Sequence, residues 1–158
     1  MKRVLLLMMI VALCAVENVR AIDLEARAGL GYFGYYGHWD MHLGALASFQ
    51  MLDKFYLRPG ILLNLDSGSQ YLFSLSNAKL GVTVPLYASY ILPVTRVMNI
   101  RMNVGPFVGR SRLAFNVGTA VEAGLEYRKY YAGFFWFKDI AGNDYSRVNL
   151  SIGYKFSL

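Results

Sequence analysis

The sequence predicts an all-β fold: an eight-stranded antiparallel up-and-down transmembrane β-barrel preceded by a cleavable signal peptide. Three observations carry that expectation. Apolar and polar residues alternate with period two in eight segments, whereas helical periodicity is hard to find. Hydrophobic residues make up 56% of the 158 and charged ones 16%, where soluble domains average about 45–50% and 25%. Yet beyond residue 16 no run of eighteen apolar residues occurs, so no helix of the mature chain would span a bilayer. Finally, glycine gathers on the polar side of the alternation, as a narrow closed barrel requires of its interior.

Residues 1–21 read as the export signal. Lys2 and Arg3 precede the apolar stretch Val4 to Val16, and Val19 and Ala21 offer small residues for cleavage before Ile22. An uncleaved anchor is the bland alternative, but that apolar stretch is too short to span comfortably. Cys14, the one cysteine, lies inside it behind Leu13, where a lipoprotein acceptor would follow a small residue. The domain is then 22–158, with no disulfide or thiol chemistry. Thirteen basic residues face nine acidic ones there, a formal +4. They form no concentrated basic patch, which argues against nucleic acid, while a mild positive excess suits anionic lipid head groups.

The strands follow in order. In "DLEARAGLGY" Leu24, Ala26, Ala28, Leu30 and Tyr32 oppose Asp23, Glu25, Arg27, Gly29 and Gly31. "DMHLGALASFQM" sets Met41, Leu43, Ala45, Ala47 and Phe49 against Asp40, His42, Gly44, Ser48 and Gln50. "FYLRPGILLNL" opposes Phe55, Leu57, Ile61 and Leu63 to Arg58, Gly60 and Asn64. "KLGVTVPLYASY" and "VMNIRMNVGPFVGR" continue the pattern, the second placing Asn99, Arg101 and Asn103 on the polar side. "NVGTAVEAGLEYR" gives Glu122, Gly124, Glu126 and Arg128 on one side, and "YYAGFFWFKD" carries aromatics on both. "RVNLSIGYKFSL" alternates from Val148 to Phe156. Tight connectors (52–54, 93–96, 128–130) alternate with longer ones (34–39, 66–77, 110–115, 140–146), which predicts short turns at one rim and external loops at the other.

Alternation alone leaves sidedness open, since a soluble barrel keeps its apolar face inside. Glycines on the polar face, sparse charges of both signs there, and aromatics near segment ends together favour lipid outside and a polar lumen. The expected lumen charge network is Glu25, Arg27, Arg58, Arg101, Glu122, Glu126 and Arg128, because buried charge needs a partner. Tyr32, Tyr35, Tyr36, Trp39, Tyr130 and Tyr131 are the expected interface aromatics. Eight strands leave an interior that side chains just fill, so the expectation is a core and not a pore.

"GLGYFGYYG", "YLRPGILL", "VTVPLYASYIL", "RMNVGPFVG", "GTAVEAGLEYR" and "LSIGYKF" run through nearly all of residues 22–158. With these motifs the chain resembles the small outer-membrane β-barrel domains common in Bacteroidetes, described as PorT-like or OmpA/OmpX-like. The resemblance implies a Gram-negative outer membrane. It also implies insertion by the outer-membrane assembly machinery, with Leu150, Ile152, Tyr154 and Phe156 as the assembly-signal strand. Ser157 and Leu158 extend past the aromatic at which such strands usually end. The resemblance supplies no uniform activity.

Two chemical alternatives arise. "HWDMH" puts His38, Asp40 and His42 on one face of a strand, a sketch of a metal or acid–base site, but no distant His or Cys completes it. Ser67, Ser69, Ser74 and Ser76 share the expected loop side with His38, which is the raw material of a lipid A-modifying enzyme, without a motif joining them. A narrow channel is the other alternative. The favoured expectation is no enzyme, no cofactor and no metal. The chain instead acts as a structural or interaction protein through its external loops, with Tyr35, Tyr36, Tyr71 and Phe73 as contact points; a surface or periplasmic protein is the expected kind of partner.

Overall fold

A computed structural model describes residues 22–34, 37–67, 78–110, 115–140 and 146–157. The strands are β1 (Ile22–Phe33), β2 (His38–Leu52), β3 (Phe55–Asp66), β4 (Lys79–Pro93), β5 (Met98–Arg110), β6 (Phe115–Tyr127), β7 (Tyr130–Asp139) and β8 (Ser146–Ser157). Each pairs antiparallel with the next, and β1 pairs with β8 to close the barrel. Closure leaves no edge, so the ladder satisfies the backbone groups that hydrocarbon cannot. At 10–15 residues each, the strands are long enough to cross a bilayer when tilted.

The alternation read from the sequence becomes two faces. Outward stand Leu43, Ile61, Val104, Val121, Leu125, Leu150 and Ile152, all exposed. Inward stand Glu25, Arg27, Arg58, Arg101, Glu122 and Arg147, all at most 1% exposed. A water-soluble barrel would invert this distribution, so the sidedness is that of a transmembrane barrel.

Short turns at residues 53–54, 94–97 and 128–129 share one rim with the outer ends of β1 and β8. The other rim carries the longer connections, of which residues 35–36, 68–77, 111–114 and 141–145 lie outside the described residues. So do Tyr35, Tyr36, Tyr71 and Phe73, the serines at 69, 74 and 76, and the segment 1–21. In the β6–β7 turn Arg128 adopts φ 56°, the left-handed region that most side chains avoid. Prolines mark one seam. The β3–β4 ladder is continuous up to Pro59–Leu86 and resumes at Leu62–Thr83, skipping the stretch that holds Pro85, which has no N–H to donate.

Sidedness makes a direct prediction. Ile152 lies mid-strand on the outer face and Leu52 at the turn rim, and both are 68% exposed. In phospholipid vesicles, urea unfolding of Ile152→Arg should show a loss of about 2–4 kcal/mol, and Leu52→Arg about 0–1 kcal/mol. Equal costs at the two positions would contradict a lipid-facing outer wall.

Candidate functional site

The lumen holds the chemistry. Along β1, inward positions are taken in turn by Glu25, Arg27, Gly29, Gly31 and Phe33, and their neighbours on β2 and β8 define successive levels from the turn rim to the loop rim.

At the lowest level Glu25 is the hub. Its Oε1 accepts hydrogen bonds from Arg27 Nε (3.0 Å) and Nη2 (2.6 Å) and from Arg101 Nη2 (3.1 Å). Its Oε2 accepts from Arg58 Nη2 and from Arg101 Nη1, both at 2.7 Å. One carboxylate thus binds three guanidiniums. Arg27 turns its Nη1 to Glu122 at 2.8 Å, and Arg101 donates to Glu126. Arg58 Nε donates to Ser48 Oγ at 2.7 Å. Three carboxylates therefore balance three guanidiniums in a buried interior, where uncompensated charge is costly. Lys155 joins from the rim, its Nζ 3.4 Å from Glu126.

Tyr131 belongs to this cluster, not to the membrane interface as the sequence suggested. It is buried, donates to Glu122, and lies under two guanidiniums, with Arg101 Cζ at 3.7 Å and Arg27 Cζ at 4.7 Å from its ring centroid. Strand parity is the reason. Tyr131, Gly133, Phe135, Phe137 and Asp139 point inward, leaving Tyr130, Phe134 and Trp136 outside. Gly124 and Gly133 lie beneath the Tyr131 ring, and a Cβ at either would collide with it. The parity of Gly133 and Asp139 was the signal available in the sequence.

Arg128 is the opposite correction. It shares the parity of Glu122 and Glu126 but falls one residue past the end of β6, in the turn, where the periodicity lapses. Its side chain is exposed, with its guanidinium 5.5 Å from the Tyr127 ring, and takes no part in the lumen network. Tyr32 and Tyr130 are exposed on the outer wall, and Trp39 is half-buried with its ring 5.1 Å from that of Tyr32. On β8, Leu150, Ile152, Tyr154 and Phe156 all face outward.

Beside the charge cluster the lumen is apolar: Leu46 stands opposite Glu25, Tyr87 opposite Arg58 and Phe135 opposite Glu122. Leu46, Leu62, Tyr87, Phe107, Phe135 and Phe137 are buried there. Phe137 packs edge-on against Phe135 at 5.1 Å and Phe107 at 4.8 Å. Periodicity passed over these residues because an apolar side chain on the polar face reads as a break in alternation. Nearer the loops a second pair closes the lumen: Arg147 Nη1 donates to Asp40 Oδ2 (2.5 Å) and Asn64 Oδ1 (2.8 Å), with its guanidinium 4.8 Å from the Phe137 ring.

The three residues of "HWDMH" do share one parity of β2, with Asp40 and His42 buried in the lumen. Asp40 is engaged by Arg147, and His42 lies buried with its ring 5.1 Å from that of Phe135. His38 stands at the rim with Nδ1 4.0 Å from Asp66 Oδ1. Among the described residues no group of three His, Cys, Asp or Glu is arranged to hold a metal ion. Ser67 Oγ donates to the Trp39 carbonyl at 2.8 Å. What the arrangement does chemically is neutralise charge and fill space.

No protein-family model matches the chain, and no curated protein does either. Solved structures do. The chain is similar to the N-terminal β-barrel domain of Pseudomonas aeruginosa OprF, with a TM-score of 0.60 at 12% identity, covering 87% of this chain and 98% of that one. It is similar to Neisserial surface protein A, with a TM-score of 0.57 at 12% identity over 87% and 96% of the two chains. A de novo designed transmembrane β-barrel follows, with a TM-score of 0.53 at 14% identity over 85% and 95%. At such identities the likeness is one of fold: this chain is an eight-stranded barrel of the kind that spans membranes.

Proposed function

We propose that the protein resides in the outer membrane of a Gram-negative bacterium as a barrel with a sealed lumen, and that it works through its external loops as a structural or adhesion-like interaction protein. The observation that carries this reading is the filling of the lumen by two ion-paired layers with an aromatic layer against them. With the interior occupied, the surfaces left for function are the lipid-facing wall and the two rims. Natural barrels of similar fold, the OprF domain and Neisserial surface protein A, support the location.

Assembly fits the same reading. The outward Leu150, Ile152, Tyr154 and Phe156 of β8 form the strand that the outer-membrane assembly machinery would recognise. A finer kinship with PorT-like barrels would rest on the framework motifs alone, and no activity is carried over from it.

Three experiments test the proposal. Planar-bilayer recording of the folded chain should show no steady stepwise conductance. Glu25→Ala, which leaves three guanidiniums without their shared carboxylate, should lower the unfolding free energy in vesicles by about 3–5 kcal/mol. Stable wild-type steps would assign a channel instead. For the loops, partners crosslinked on intact cells should be lost when residues 67–78 are replaced by a two-residue turn, while heat-modifiable migration on gels persists. Retention of the same partners, or a change in lipid A composition that tracks with the gene, would overturn the loop reading.

A further inference from the structure

The outer wall is not uniform. Where β8 runs between β1 and β7, the small outward residues Ala26, Ala28 and Ala132 leave a hollow of about 570 Å³ beside Ile152, and its surface is almost wholly apolar. That volume lies within the roughly 300–1,000 Å³ of small-molecule sites. A second hollow of about 550 Å³ shares Ala28, Ala132 and Ile152 and extends the first toward the loop side. The wall therefore carries an elongated apolar depression, not one isolated dent.

Its lower end is framed differently. Tyr127 and Tyr130 line the first hollow, and between them the turn presents Arg128 and Lys129, both exposed. Arg128 is held over the Tyr127 ring, and the Lys129 carbonyl is fixed by the Lys155 amide at 2.7 Å. Glu126, the acid nearest in sequence, points into the lumen and is engaged by Arg101 and Lys155. An apolar hollow whose tyrosine end adjoins a turn with two exposed cations has the polarity of an amphiphile with an anionic head.

We propose that this depression binds one acyl chain of an anionic phospholipid of the turn-side leaflet, with the phosphate held between Arg128 and Lys129. The occupant follows from charge. A second copy docked through the same wall about a two-fold axis normal to the membrane would bring its own Arg128 and Lys129 against these, stacking like charges at the contact. A zwitterionic lipid fills the hollow equally well but gains less from the cations, each worth about 1 kcal/mol near an anionic surface. The paired tyrosines sit where the head group meets the acyl chain, the level that amphipathic rings favour. The inference needs the barrel to be in a bilayer and does not depend on what the loops contact.

Native mass spectrometry tests it on the full chain folded in micelles with equal phosphatidylglycerol and phosphatidylcholine. One retained phosphatidylglycerol is expected, in preference to phosphatidylcholine. Arg128→Gln with Lys129→Gln should reduce that preference by up to about thirtyfold. Ala132→Leu fills the hollow from outside, leaves lumen packing untouched, and should reduce retention of both lipids. Heat-modifiable migration verifies that each variant is folded. Equal retention of the two lipids by the unaltered chain overturns the proposal, as does retention unchanged by either substitution. A lipid-free dimer abolished by Ala132→Leu would overturn it too, by giving the hollow to a second copy.

Discussion

Glu25 organises the interior. A single carboxylate takes five hydrogen bonds from Arg27, Arg58 and Arg101, and those arginines come from β1, β3 and β5. Taking any one of these ions out of water alone would cost several kcal/mol. Their mutual compensation is therefore a condition for the strands to stand in this register, not an ornament upon it. A one-residue slip of any strand would put its charge into lipid and leave a partner stranded inside. Charge pairing and the apolar outer wall specify the same register from opposite faces.

Tyr131 shows how such a cluster accommodates three guanidiniums. Like charges crowd one another, and the Tyr131 ring lies within cation–π distance of both Arg27 and Arg101. Its hydroxyl donates to Glu122, which in turn takes Arg27. The ring needs room, and Gly124 and Gly133 provide it on the neighbouring wall. Glycine on the polar face thus has a local explanation here: the lumen is wide enough for a tyrosine only where the wall has no side chain.

Most of the fold was legible in the sequence because a transmembrane barrel imposes one constraint on every strand. Alternation placed Glu25, Arg58, Arg101 and Glu122 inward without any knowledge of their partners. It did not reveal which charges meet, since Glu25 and Arg101 are 76 positions apart and only closure and tilt bring them together. It failed where periodicity is ambiguous. "YYAGFFWFKD" has aromatics at both parities, so Tyr130 and Tyr131 looked alike, and Arg128 kept the parity of β6 after the strand had ended. The Arg147–Asp40 pair was hidden for the same reason as the Glu25 hub, because β2 and β8 meet only through β1.

The consequence for function is one of location. Each inward layer is committed to another inward layer: Glu25 to its arginines, Tyr131 to Glu122, Arg147 to Asp40 and the Phe137 ring. These groups are spent largely on one another, and displacing Glu25 or Arg147 would leave a buried charge without its partner. The outer face is under a weaker constraint, because lipid accepts any apolar side chain of any size. Alanine at 26, 28 and 132 is therefore not demanded by the bilayer, and neither is the pair of cations in the turn beside Tyr127 and Tyr130. Where the environment leaves the choice of residue open, a depression beside exposed charge reflects the particular residues of this chain. The wall, with the loops, is accordingly where this chain's particular function is to be sought.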